Sequence, residues 1–162
     1  MVTADKTAKT ARAREALMSR HAELREVLDH WVGALAAAAD SGGPARPVRS
    51  LLRAFLADEV LPQFRAEERT LYRAARRDPG VSLLVQALVS EHRDLASMAG
   101  ELGEPMRPAA AAAQAAAISA LLASHMAKED SLLLPALERS GTDLAAVLAR
   151  EPRLAAGGQC AA

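Results

Sequence analysis

Aromatic residues are nearly absent from this chain: one tryptophan, one tyrosine and two phenylalanines in 162 residues. The composition leans instead on Ala, Leu, Arg and Glu, the strong helix formers, so an all-α fold is the first expectation. Cysteine is equally scarce. Cys160 stands alone, so no intrachain disulfide can form, which fits a reducing cytosol. It lies in Ala155-Ala-Gly-Gly-Gln-Cys-Ala-Ala162, where an ordinary surface thiol is expected. Net charge is also lacking, with 20 basic and 20 acidic residues. That balance gives no reason to expect nucleic acid or an acidic membrane as partner. The N-terminus shows no apolar core of signal-peptide length, and no segment approaches the ~20 apolar residues of a membrane span. Even the alanine run from Ala109 to Ala117 is too weakly apolar and reads as helix. A cytoplasmic protein is expected.

What is present is a globular chain of 51% apolar and 25% charged residues, of a size that fits one domain. Helix breakers divide it into four long pieces. Ser41-Gly-Gly-Pro44 is the first loop, with Pro47 in the first turn of the next helix; Asp78-Pro79-Gly80 is the second, with Asp78 as N-cap; Gly103-Glu-Pro-Met-Arg-Pro108 is the third. Ser140-Gly-Thr-Asp143 ends the fourth piece, and Thr142 is expected to cap a short extra helix through about Arg150. Helices are therefore expected over residues 7–40, 47–77, 80–103 and 108–139. Short loops between them make an antiparallel up-down-up-down four-helix bundle with a short C-terminal helix. The expected organisation is a frayed or disordered N-terminus over 1–11, a bundle over 12–150 and a flexible tail over 151–162. Pro62 and Pro135 fall inside the second and fourth helices. Each should kink its helix and free a carbonyl that a side chain or water must satisfy.

Each piece carries an apolar stripe with steps of three and four. The first reads Leu17, His21, Leu24, Leu28, Trp31, Leu35; the second Leu52, Leu56, Val60, Gln63, Glu67, Leu71. The third reads Val85, Leu88, His92, Leu95, Ala99, Leu102; the fourth Ile118, Leu122, His125, Glu129, Leu132, Ala136. Every stripe is interrupted by polar residues at one place. Counted from the loops at ~1.5 Å per residue, those places meet within a turn or two of one level. His125 and Glu129, four apart on one helix face, can grip one metal ion or one ion each of a close pair. Buried without a partner, such groups would cost several kcal/mol. His21, Glu67, His92, His125 and Glu129 are thus candidate metal ligands, with Gln63 as a sixth, weaker candidate.

Each of these residues also has a plain reading. A lone histidine on an apolar face is more often a satisfied core residue than a ligand. The Glu67-Glu68 and Glu129-Asp130 doublets read equally well as surface charge. His30, half a turn from the His21 face, reads as surface or groove. Tyr72, one step off the Glu67 stripe, reads as a pocket-edge hydroxyl or, more plainly, as a half-buried packing residue, and Trp31 as core. The conjunction of stripe, height and spacing is what favours a metal site.

With these residues assembled, the chain resembles the hemerythrin-like family, the HHE cation-binding domain. The phrases that carry the resemblance are Arg20-His-Ala-Glu-Leu-Arg25, Leu61-Pro-Gln-Phe-Arg-Ala-Glu-Glu-Arg-Thr-Leu-Tyr72, Glu91-His-Arg-Asp-Leu95 and His125-Met-Ala-Lys-Glu-Asp-Ser-Leu-Leu-Leu-Pro135. Together they cover about residues 12–140. The resemblance implies an antiparallel bundle holding two non-haem irons. His21, His92 and His125 would be terminal ligands, and Glu67 and Glu129 the bridges.

The chain departs from the family pattern at two positions. Gln63 stands where the second helix of the family has a histidine, and an amide oxygen is a neutral, weak ligand. Ala96 stands where oxygen-carrying members place a further histidine. Three outcomes are open: an asymmetric two-metal site, a one-metal site that prefers zinc or manganese, or a metal-free core in which Gln63 bonds Glu67 or a histidine. The functions implied are a binder or sensor of a small diatomic or oxidant, or an iron-handling protein. At the same pair an oxidase, ferroxidase or peroxide-decomposing enzyme is the alternative. A metal-depleted scaffold presenting Arg65, Arg69, Arg73, Arg76 and Arg77 is the third reading.

Overall fold

The computed structural model describes residues 2–154, with side chains from residue 6. Cys160 and the tail beyond Leu154 lie outside the described residues. The described residues are helical and contain no strand. Helix α1 spans Val2–Ser41. Helix α2 covers residues 45–75, α3 spans Ser82–Glu101, and α4 runs over Pro108–Arg139. A short α5, Leu144–Leu148, comes last. Helix α1 packs against α2 and α4, and α3 against the same two, which makes the expected all-α bundle.

The ends of the helices reflect local chemistry. Gly42 adopts φ +68°, and the Gly43 N–H returns to the Ala38 carbonyl at 2.8 Å, a left-handed cap that only glycine enters freely. Gly141, at φ +76°, closes α4 in the same way through Thr142 N–H to Leu137 O at 3.0 Å. Asp78 accepts from Gly80 N–H at 2.8 Å, in the capping role expected of it. The cap of α5 is Asp143, which accepts from Ala146 N–H at 3.0 Å, and not Thr142. The Thr142 hydroxyl instead pairs with Ser140 Oγ.

Helix α1 begins at Val2 rather than near residue 7, in a stretch rich in Ala and Lys, and residues 6–9 are exposed. Pro152–Leu154 form a 3-10 turn inside the segment expected as tail. Leu154 is buried with Leu17 and Leu71, which gives this turn an apolar anchor.

Both internal prolines sit just after a π-helical turn. Leu56–Val60 forms one, where Leu61 N–H reaches back five residues to Leu56 O; Glu129–Leu133 forms the other, with Leu134 N–H on Glu129 O. A π turn accommodates the missing proline donor by widening the helix locally. The carbonyls nearby find donors in arginines from distant segments. Arg153 donates to Asp58 O at 3.2 Å, and Arg14 to Asp130 O at 3.4 Å. A third π turn, Glu68–Tyr72, comes directly after Glu67.

Each π turn inserts a residue and so rotates the helix beyond it. Leu132, expected in the core stripe of α4, is 50% exposed, and Leu133 takes its place at 0%. Trp31 is also only partly buried. The remaining stripe residues are buried as expected. Helix α4 is, by length and composition, apolar enough to cross a bilayer, contrary to the expectation that no segment comes near a membrane span. Alanines individually too weak to count reach that level in sum, yet the helix carries His125 and Glu129 inward at 0% and 1% exposure.

The core falls into two apolar clusters. One holds Leu24, Leu52, Phe64, Leu95 and Leu122; the other holds Leu17, Leu71, Leu88 and Leu133. Between them, on every long helix, lies the polar layer.

Candidate metal centre

His21, Gln63, Glu67, His92, His125 and Glu129 are all buried, none more than 3% exposed. The inward spacing of each stripe brings them together at one level. Glu67 stands at the middle. Its Oε1 lies 3.5 Å from His21 Nε2 and its Oε2 lies 3.4 Å from His92 Nε2. Glu129 Oε2 lies 3.6 Å from both His21 Nε2 and His125 Nε2. The His92 and His125 Nε2 atoms are 3.1 Å apart. Two triads of ligand atoms are close enough for a cation, Glu67-His92-His125 and His21-Glu67-Glu129, and Glu67 belongs to both.

The outer nitrogens of the three imidazoles are engaged separately. His21 Nδ1 contacts Asp130 Oδ1 at 2.9 Å, His92 Nδ1 contacts Glu68 Oε1 at 2.8 Å, and His125 Nδ1 contacts Glu91 Oε2 at 2.9 Å. A carboxylate only accepts, so each Nδ1 carries a proton, and in the neutral ring Nε2 is left to present a lone pair inward. Lys128 Nζ pairs in turn with Glu91. Sequence reasoning missed all three carboxylates. A signal was available: Glu68 follows Glu67, Glu91 precedes His92, and Asp130 follows Glu129. A residue next to an inward one lies ~100° around the helix, at the seam with the neighbouring helix, where it meets that helix's histidine.

Tyr72 is not the half-buried packing residue that regular spacing suggests. It is 0% exposed, and its hydroxyl donates to Glu129 Oε1 at 2.7 Å while lying 3.2 Å from His92 Nε2 and 3.4 Å from His125 Nε2. An uninterrupted α-helix puts residues 67 and 72 on different faces. The π turn Glu68–Tyr72 rotates the phenol back to the Glu67 side. The Tyr72 and Phe64 rings both stack on His92, at centroid distances of 5.3 and 4.0 Å. Ala96, at the position of the carriers' additional histidine, is exposed. Arg20, beside His21, is buried and bonds Glu59 at 2.5 Å, tying α1 to the π turn that precedes Gln63. His30 is exposed, as expected.

Electrostatics in the layer are strongly coupled. Burial opposes charge on His21, but the hydrogen bond to Asp130 and the charges of Glu67 and Glu129 raise it to about 10. Burial also disfavours the Glu67 carboxylate, yet the His21 and His92 rings beside it hold it low. Burial and the neighbouring Glu67 charge push Glu129 up. Burial pushes the Tyr72 phenol far up, with the Glu129 charge adding to it. His125 falls to about 4, through burial and the nearby His92, although Glu67 and Glu91 pull the other way.

Four buried atoms facing the layer have no hydrogen-bond partner among the described residues: His21 Nε2, Gln63 Oε1, Glu67 Oε2 and Glu129 Oε2. Orphaned acceptors so placed are rare in a folded core, because each costs on the order of 1–3 kcal/mol. Three lone-pair nitrogens and two carboxylates converging on them form a donor set that a transition-metal cation satisfies.

No curated protein and no solved structure matches the chain. The family model that does match is the hemerythrin HHE cation-binding domain, over residues 12–137. That span takes in the whole polar layer and most of the chain, and the chain belongs to the hemerythrin HHE cation-binding family.

Proposed function

We propose that this bundle holds a non-haem di-iron centre that binds or senses a small diatomic or oxidant, or handles iron, inside the cytoplasm. The observation that carries the reading is the group of unpaired inward atoms, His21 Nε2, Glu67 Oε2 and Glu129 Oε2, backed by carboxylates on every imidazole. In this reading His92, His125 and Glu67 hold one ion, and His21, Glu67 and Glu129 the other. Tyr72 stands beside the first and Gln63 beside the second. When bound, an iron pair would supply Lewis acidity and redox electrons toward dioxygen, peroxide or nitric oxide. The protein's own contribution is different. Asp130, Glu68 and Glu91 fix the tautomer and aim of the histidines. Phe64 and the leucines of the two clusters exclude water. The ligand-facing side chains are so deeply buried that only a small molecule would reach them.

One observation favours an enzyme at the same pair, an oxidase, ferroxidase or peroxide-decomposing activity. Tyr72 O–H donates to Glu129 Oε1. A protonated phenol beside the centre could supply one proton to an incoming oxidant, leaving a phenolate that a proton from solvent must restore before the next turnover. The scaffold reading explains the Gln63 Nε2 to Glu67 Oε1 hydrogen bond at 2.9 Å, but leaves the orphaned atoms without reason.

The test is elemental analysis of protein purified without added metal, with an ultraviolet–visible spectrum before and after nitric oxide or peroxide. The di-iron reading expects iron near two equivalents and a spectrum that changes with the added ligand. Protein that retains no ion even after reconstitution with iron would leave the scaffold.

A further inference from the structure

The two sides of the Glu67–Glu129 pair are chemically unequal. On one side stand two imidazole nitrogens, His92 Nε2 and His125 Nε2, 3.1 Å apart, with the Tyr72 hydroxyl within 3.4 Å of both. On the other stands one imidazole, His21 Nε2, 3.5 Å from Glu67 Oε1 and 3.6 Å from Glu129 Oε2. Its remaining neighbour is the Gln63 amide. The amide nitrogen donates to Glu67 Oε1, and the amide oxygen is buried with no partner. Gln63 itself is 0% exposed, so no bulk water reaches that oxygen.

Donor type separates ions. Imidazole nitrogens suit iron and its later neighbours, whereas carboxylate, carbonyl and water oxygens suit manganese and magnesium. A phenol oxygen that gives its proton to solvent base and ligates a cation as phenolate would favour a trivalent ion. The nitrogen-rich side is therefore suited to iron in its higher oxidation state. The side with one nitrogen and three uncharged or carboxylate oxygens binds later transition metals weakly, and discriminates less against hard divalent ions.

Resting on the metal-centre reading above, we propose that the two positions load unequally: a tightly held iron on the His92–His125–Tyr72 side, and an exchangeable hard divalent cation, manganese, on the His21–Gln63 side. Gln63, at the position where the family has histidine, is the residue that sets the difference. Its amide oxygen offers a ligand without charge and without the affinity that would fix iron there.

The experiment uses the full chain stripped of metal with a chelator. Ferrous ion and a large excess of manganous ion are supplied together anaerobically, so that the position discriminating less between them takes manganese, and the desalted protein is analysed for both elements. The expected result is one iron and one manganese per chain, with manganese leaving first when a mild chelator is added. Gln63→His, which restores a second nitrogen to the weak side, is expected to replace the manganese by a second iron. Wild-type competition alone carries the test if that variant does not fold. Two irons per wild-type chain under competition, or both ions leaving together, overturns the inequality while leaving the metal centre standing. A chain that retains neither ion in any mixture overturns the metal centre and the inequality with it.

Discussion

The Tyr72 hydroxyl donates to Glu129 Oε1 at 2.7 Å, across from a helix 57 residues away in sequence. That one bond joins the π turn of α2 to the π turn of α4, since Tyr72 ends the first and Glu129 begins the second. Two predictions meet on it. In ferric-loaded protein the phenol oxygen beside His92 and His125 should give a visible phenolate-to-iron charge-transfer band, and Tyr72→Phe should abolish the band while iron content stays near that of the wild type. In metal-free protein the same variant leaves Glu129 Oε1 buried without a donor, and should cost about 1–3 kcal/mol in chemical denaturation. A wild-type ferric protein with no visible band would remove Tyr72 from the centre.

Asp130, Glu68 and Glu91 act on the metal through the histidines they hold. Asp130→Asn, Glu68→Gln and Glu91→Gln should each weaken metal binding by roughly 10–100-fold, read by competition with a chromophoric chelator. Loss of an exposed carboxylate elsewhere, such as Asp29→Asn on α1, should leave affinity unchanged. Equal effects from all four would show that overall charge, not imidazole orientation, governs loading.

Much of the layer was legible because it obeys regular helical spacing up to the point where it meets. His21 between Leu17 and Leu24, His92 between Leu88 and Leu95, and Glu67 four after Gln63 all sit where a period of 3.6 places them. The remainder was hidden by departures from that period. Nothing in a single sequence states that Glu68–Tyr72 will be a π turn, so Tyr72 counts as one step off the stripe. The same cause moves Leu132 out and Leu133 in. Pro62 and Pro135 do mark two of the three π turns, each lying just beyond the leucine, Leu61 or Leu134, that closes the turn. Their expected consequence, a freed carbonyl seeking a side chain, matches Arg153 on Asp58 O and Arg14 on Asp130 O. The identity of those arginines depends on long-range packing that spacing does not encode.

The π turn of α4 makes neighbouring leucines unequal. Leu133→Ala removes a side chain at 0% exposure and should cost about 2–5 kcal/mol, with a lower denaturation midpoint. Leu132→Ala, at a residue 50% exposed, should stay within about 0.5 kcal/mol. Similar costs at both positions would mean that α4 continues as a regular helix through residue 133.

The metal-free protein should lose stability as pH rises above neutrality, and metal should remove that loss. Burial first, and then the charge of Glu67, raise Glu129 from 4.5 to about 8. A carboxyl whose folded value lies above its unfolded one contributes stability that is fully present below 4.5 and gone above about 8. His21 moves the same way. Burial lowers it, but Asp130 and Glu67 prevail and raise it from 6.5 to about 10, so its contribution is complete below 6.5 and lost as pH climbs through 10. The opposing groups act elsewhere: Glu67, held low, matters only below 4.5, and His125, depressed to about 4, only below 6.5. From pH 6.5 to about 8 the Glu129 and His21 contributions therefore decline together, and from about 8 to 10 that of His21 continues to fall. A bound cation takes the place of those protons, so the loaded protein should keep its melting temperature over the same range. Melting temperatures of both forms, measured from pH 6.5 to 10, test this. A metal-free melting temperature that rises across that window would show that Glu129 and His21 do not share one buried layer. Glu129→Gln, which cannot ionise, should flatten the lower part of the metal-free decline and leave the upper part to His21.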